Sequence, residues 1–92
     1  MSKLTEAVLR SDVTAMKQAI ASGDNLNELG GGMTPLLWAV FRGDVDAVRL
    51  LLESGSDPNV RPNPGDSPLW HAEDDFGLTE ITELLKSYGA TK

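Results

Sequence analysis

The chain has a single histidine, and it stands in acidic company: His71-Ala-Glu73-Asp74-Asp75-Phe76. A histidine beside carboxylates is the raw material of general acid–base chemistry. In a small-molecule enzyme, His71, Glu73 and Asp74 would have to converge in a polar pocket. The residue types argue against that reading. One histidine without a second nitrogen ligand makes no zinc site, and without a nearby nucleophile it makes no triad. Paired carboxylates split their pKa values only inside a walled pocket, and nothing in the surrounding sequence supplies walls. Two readings of Glu73, Asp74 and Asp75 remain open: solvation of an exposed helix end, or an acidic patch for a partner's lysines and arginines, with Asp66 beside it.

Two other stretches invite a ligand and fail on detail. Gly30-Gly31-Gly32 precedes a helix start at Thr34, as a phosphate loop would, but no basic residue lies between Lys17 and Arg42. A flexible hairpin turn is expected instead. Asp57-Pro-Asn-Val-Arg-Pro-Asn-Pro-Gly-Asp66 is rich in oxygen donors. Yet Arg61 and Gly65 fall wrongly for a calcium loop, and no glutamate closes it. Its prolines make a stiff hairpin, which lowers the ordering cost of binding. Cysteine is absent, so there is no disulfide scaffold or thiol chemistry. No catalytic residue, metal or cofactor is expected.

The elements that must position these residues are clearest in Met33–Asn59. Thr34 is placed to cap a helix, with Pro35 at its first position, where a missing N–H costs nothing. Leu36, Ala39 and Val40 fall at helical spacing, and Gly43 ends the segment. Asp44 is placed to cap a second helix, whose Ala47, Val48, Leu50, Leu51 and Leu52 make a broad apolar face, and Gly55 stops it. Two such short helices cannot bury their faces alone. Their neighbours are copies. Thr34-Pro-Leu-Leu-Trp-Ala39 returns 33 residues later as Ser67-Pro-Leu-Trp-His-Ala72, while Gly43, Leu50, Leu51 and Gly55 return 34 later, one residue being inserted near Glu73–Phe76. Leu4, Ala7, Asp12, Val13, Gly23 and Asn27 lie 32 before their partners. Helix-turn-helix content at this period marks a stacked repeat array.

At these residues the chain resembles the ankyrin repeat family. The middle copy carries that family's Gly32, Thr34, Pro35, Leu36, Ala39, Gly43, Val48, Leu50, Leu51, Leu52, Gly55, Asp57 and Asn59 in register. The resemblance implies one all-α domain over 1–92, an α/α solenoid of three helix-turn-helix repeats at about 1–27, 28–59 and 60–92 with short hairpin loops. Two departures stand out. The family's turn-bracing histidine is Leu37 in the middle copy and Trp70 in the last, and the hairpin between the first two copies is one residue short. His71 should not inherit the bracing role, and a packed, hydrogen-bonded side chain is expected for it. Trp38 is expected to pack against neighbouring helices.

The family pattern also points to surfaces. Leu9 and Arg10, like Phe41 and Arg42, occupy the variable places that end the first helix on the concave side, with Ser11 in place of the usual glycine. Phe41 beside Arg42 has the composition of an interface hot spot. Hairpin tips commonly touch partners in this family, which adds Leu29 and Met33. The expected contacts are therefore Leu9, Arg10, Met33, Phe41, Arg42, Asp66, Asp74, Asp75 and Phe76.

Charge narrows the partner. Eight basic residues stand against 14 acidic ones, a net of −6, which disfavours nucleic acid. It suits either plain solubility or steering toward a basic protein surface. The start of the chain carries Glu6 and no long apolar run, so neither a signal peptide nor a membrane span is expected, and a cytoplasmic setting follows. The expected function is non-catalytic protein binding, as a stoichiometric inhibitor or immunity protein covering a basic site. A regulatory adaptor or a self-associating scaffold is the alternative, with a monomer or weak homodimer as the oligomeric state.

Overall fold

The helices begin where the sequence offers an oxygen to their first free N–H groups. The computed structural model describes residues 2–62 and 64–92, so Asn63 of the proline-rich hairpin and Met1 lie outside the described residues. Helix α1, Lys3–Leu9, starts at Ser2, whose Oγ accepts from the Thr5 N–H. Helix α2, Val13–Ala21, starts at Asp12, whose carboxylate accepts from Ala15. Thr34 caps α3, Pro35–Phe41, by accepting from Leu37 at 3.2 Å, and Asp44 caps α4, Val45–Glu53, by accepting from Ala47 at 3.1 Å. Ser67 does the same for α5, Pro68–Trp70. Helix α6, Thr79–Ser87, breaks the pattern: Leu78 holds its cap position and offers no hydrogen bond, packing on the core instead.

Gly43 ends α3 with φ +65°, the left-handed conformation expected of it. Ser11 takes that role in the first repeat at φ +55°, the one described non-glycine residue with positive φ.

Three helix pairs stack into an all-α solenoid, and no α-helix or strand beyond these six helices is present among the described residues. Leu4, Val8 and Met16 of the first repeat join Leu36, Val40, Val48 and Leu51 of the middle one in the core. Leu69, Ala72, Ile81 and Leu85 extend the same cluster into the last repeat. The hairpins are tied by a bond that recurs with the repeat. Asn27 accepts through Oδ1 from the Asp57 N–H at 3.0 Å, and Asn59 accepts from the Thr91 N–H at 2.8 Å.

Both sequence departures have structural answers. The short hairpin is a two-residue turn in which Gly30 and Met33 exchange backbone bonds at 2.8 and 3.3 Å. Gly31 and Gly32 between them sit at φ +63° and +84°, which only glycine adopts freely at both central positions. The turn is braced not at position 37 but one residue later. Leu37 is fully buried, while the half-buried Trp38 donates its indole N–H to the Gly30 carbonyl at 2.8 Å.

The inserted residue is absorbed as a π-helical turn over His71–Asp75, continuing α5. Its signature is the Phe76 N–H donating five residues back to the His71 carbonyl at 2.9 Å. This widened turn shapes the site described next.

Candidate functional site

The end of α3 and the π-turn bring three rings together. Phe41 and His71 have centroids 4.7 Å apart, and Phe41 meets Phe76 edge-on at 5.3 Å. His71 and Phe76 lie at 6.2 Å in a nearly parallel arrangement, and Trp70 touches His71 from its other side at 5.1 Å. The insertion lies at this cluster: one extra residue stands between Trp70 and Gly77, and Phe76 precedes Gly77 as Arg42 precedes Gly43 one repeat earlier. Phe41 and Phe76 remain 39% and 41% exposed although they touch. Large aromatic side chains left that open have area still to bury. The centroid spacings leave no slot between the rings, so the cluster is a closed platform rather than a cage.

Polar groups frame it. Arg42 at the end of α3 is exposed and takes part in none of the ion pairs among the described residues. His71 Nδ1 lies 3.1 Å from Asp75 Oδ2, one turn along. His71 is therefore packed and hydrogen-bonded, as expected, and it is also the centre of the cluster. Its place at the centre of the ring cluster was not expected, because its ring neighbours come from the π-turn and from another repeat.

The possible catalytic grouping does not assemble. His71 turns to Asp75, whereas Glu73 is held by Lys86 at 2.9 Å and by Lys92, and Asp74 by Lys92 at 2.9 Å. Hydrogen bonds from Lys92 and then Lys86 lower the Glu73 pKa from 4.5 to about 2, while Glu73 raises both lysines above their usual value. Glu73 and Asp74 are thus paired with lysines within the chain. The lysines also offset carboxylates placed at a helix C-terminus, where the helix dipole disfavours negative charge. Asp75 keeps its bond to His71, and Asp66 is exposed in the preceding hairpin and joins no ion pair among the described residues. No group of three or more candidate ligands among the described residues is arranged to hold a metal ion.

The remaining expected contacts divide. Arg10 is exposed but paired with Glu6 at 3.5 Å, and Leu9 is half-buried. Met33 is half-buried at the glycine hairpin, with Leu29 55% exposed on the same loop. Phe41, Asp75 and Phe76 are thus the members the fold gathers, joined by His71, while Arg42 follows Phe41 in the chain and is exposed. Both tryptophans are half-buried, on the core or the cluster's edge rather than in the open groove. No helix among the described residues is long and apolar enough to cross a membrane.

Comparison with known proteins agrees with this architecture. A family model described as ankyrin repeats (3 copies) matches residues 4–92. The chain is similar to a putative ankyrin repeat protein of fowlpox virus, 29% identical over 97% of this chain and 12% of that protein. It is also similar to cyclin-dependent kinase 4 inhibitor B of Bos taurus, 43% identical over 66% of this chain and 45% of that one. Among solved structures, an ankyrin repeat domain from Acinetobacter baumannii superposes with a TM-score of 0.87 at 36% identity, covering 96% of this chain and 47% of that one. The chain thus spans less than half the length of each of these relatives.

Proposed function

The chain belongs to the ankyrin repeat family, whose repeats are protein–protein interaction modules, and on that premise we propose that it is a non-catalytic binding protein. Its contact centre is the Phe41–His71–Phe76 platform with Arg42 and Asp75 at the rim. The observation that carries this reading is the pair of phenylalanines, in mutual contact yet each about two-fifths exposed. An aromatic centre with a charged rim is the composition of interface hot spots. Leu9, Arg10 and Met33 extend the surface toward the first repeat and the hairpin tips.

A stoichiometric inhibitor or immunity protein that acts in the cytoplasm as a monomer is the finer reading. Support for it comes from the net charge of −6, which steers toward a basic partner face, and from the kinase inhibitor among the relatives. Asp66 and Asp75 are the acids left to orient such a face once Glu73 and Asp74 are tied to lysines.

The experiment is capture of partners on the immobilised chain, followed by titration of whatever elutes. Phe41→Ala with Phe76→Ala is expected to weaken the complex at least about thirtyfold, the range of a hot-spot loss, with thermal unfolding as the folding control. Equal binding by that variant would move the contact off the platform, and failure of any protein to bind would sink the reading.

A further inference from the structure

The aromatic platform is built around the one side chain of its kind in the molecule. His71 is the only histidine, and imidazole is the side chain that changes charge near neutral pH. Rings approach it from Phe41 at 4.7 Å, Trp70 at 5.1 Å and Phe76 at 6.2 Å between centroids. They leave its side chain only 16% exposed.

The bond to Asp75 fixes how the proton comes and goes. An ionised carboxylate only accepts, so His71 Nδ1, 3.1 Å from Asp75 Oδ2, must carry its hydrogen. Nε2 makes no hydrogen bond among the described residues and is not one of the buried atoms left without a partner, so water reaches it. The ring therefore gains and loses a proton at Nε2 while Nδ1 keeps donating to Asp75. Other charged groups stand on the elements packed against it: Arg42 on α3, and Glu80, Glu83 and Lys86 on α6. Within the π-turn, Glu73 and Asp74 turn to Lys86 and Lys92. Asp75 is the one ion-pair partner of His71 among the described residues.

A proton at Nε2 strengthens two contacts together. The hydrogen bond, already made to an ionised acceptor, gains an ionised donor. The ring facing Phe41 becomes a cation close to an aromatic quadrupole. Both contacts act on the π-turn. His71 and Asp75 are its first and last residues. Beside their side-chain bond runs the backbone bond from the Phe76 N–H to the His71 carbonyl, 2.9 Å long, which sets where Phe76 leaves the turn.

We propose that the His71–Asp75 pair is a proton-operated strap across the π-turn, holding Phe76 against Phe41 more firmly when His71 is protonated. The extra hold is present at mildly acid pH and is lost as pH rises through the titration of the ring. As regulation of the contact centre this rests on the reading given under the preceding heading; as a property of the free chain it does not.

The test therefore uses the free, isotope-labelled full chain, with no partner present. His71 ring signals report its protonation, and hydrogen exchange of the Phe76 amide, corrected for the intrinsic effect of pH, reports the turn. Protection of Phe76 is expected to be at least about threefold greater at about pH 5.5 than at about pH 7.5. It should follow the His71 ring signals, while the buried α4 amide of Leu51 shows no such step. His71→Gln should abolish the step. Asp75→Asn should flatten it although His71 still titrates, and thermal unfolding checks that both variants fold. A Phe76 amide indifferent to His71 protonation would overturn the proposal, as would a step shared by Leu51 or one that survives His71→Gln. A partner that bound away from the platform would remove the binding reading and leave the free-chain result standing.

Discussion

The two ends of the stack meet the same demand by different means. A repeat inside an array is apolar on both faces, and a terminal one must make its outer face acceptable to water. At the first end polarity and volume both change: Lys3, Glu6 and Gln18 stand where the middle repeat has Pro35, Trp38 and Leu50, and Ala19 stands where it has Leu51. At the last end the change is one of charge: Glu73, Thr82 and Lys86 stand where the middle repeat has Val40, Val48 and Leu52, and Lys92 joins to bridge Glu73 and Asp74. Removing volume at Ala19 leaves that face concave. Adding paired charges makes the face costly to cover, because a covering partner would have to strip water from four ionised groups. The difference teaches that the outer faces of the first and last repeats depart from the inner repeat pattern through different residues.

The strongest way to break this comparison is to swap residues at one register position. Leu51 is fully buried in the middle repeat, so Leu51→Ala should cost about 2–5 kcal/mol, read from urea unfolding of the whole chain. Ala19 is its counterpart at the first end, lining the concave face there. Ala19 is itself only 5% exposed and belongs to the core, so Ala19→Leu should cost about 1–3 kcal/mol by overpacking. A variant as stable as the parent would mean that the first face has room for the larger side chain.

How much of this was legible follows from range. Thr34, Asp44 and Gly43 act within a few residues, and they cap and stop helices where their types and spacing place them. The three-repeat architecture is legible for the same reason, as the sum of local signals at a fixed period. The site is less so. The inserted residue near Glu73–Phe76 is visible in the sequence, but its effect is not: a π-turn and a gap would look alike there. Only the turn's geometry brings Phe76 onto Phe41 and puts His71 between Trp70 and the phenylalanines. Lys92 reaching back to Asp74 is a pairing across chain segments that no period encodes. Trp38 replacing the family's turn brace had a faint signal, an aromatic N–H eight residues from a glycine run, which local pattern could not orient.

A smaller effect separates the ends at the start of their second helices. Asp12 caps α2 by accepting from the Ala15 N–H at 3.0 Å, whereas Leu78, its counterpart in register, gives α6 no cap. Asp12→Ala should therefore cost about 1 kcal/mol. Leu78→Asp, which restores the missing cap, should yield no net gain, because Leu78 packs on the core and against the Gly43 turn. A clear rise in Tm for Leu78→Asp would show that the last repeat lost its cap without compensation.

The smallest effect belongs to the charge network itself, and its sign can be worked out. Glu73 is lowered from 4.5 to about 2 in the folded chain, chiefly by hydrogen bonds from Lys92 and then Lys86. A depressed carboxyl contributes stability that is fully present above its unfolded value and is lost as pH falls through the folded one. The difference between the parent and Glu73→Gln should thus be constant from neutrality down to about pH 5. It should then shrink between pH 4.5 and about 2. The groups are solvent-facing, so molar salt should reduce the difference at neutral pH as well. Urea unfolding of both proteins across that range, with and without salt, measures it. If the difference grew on acidification, or ignored salt, the last face would owe its character to packing rather than to paired charge, and the contrast between the two ends would fail.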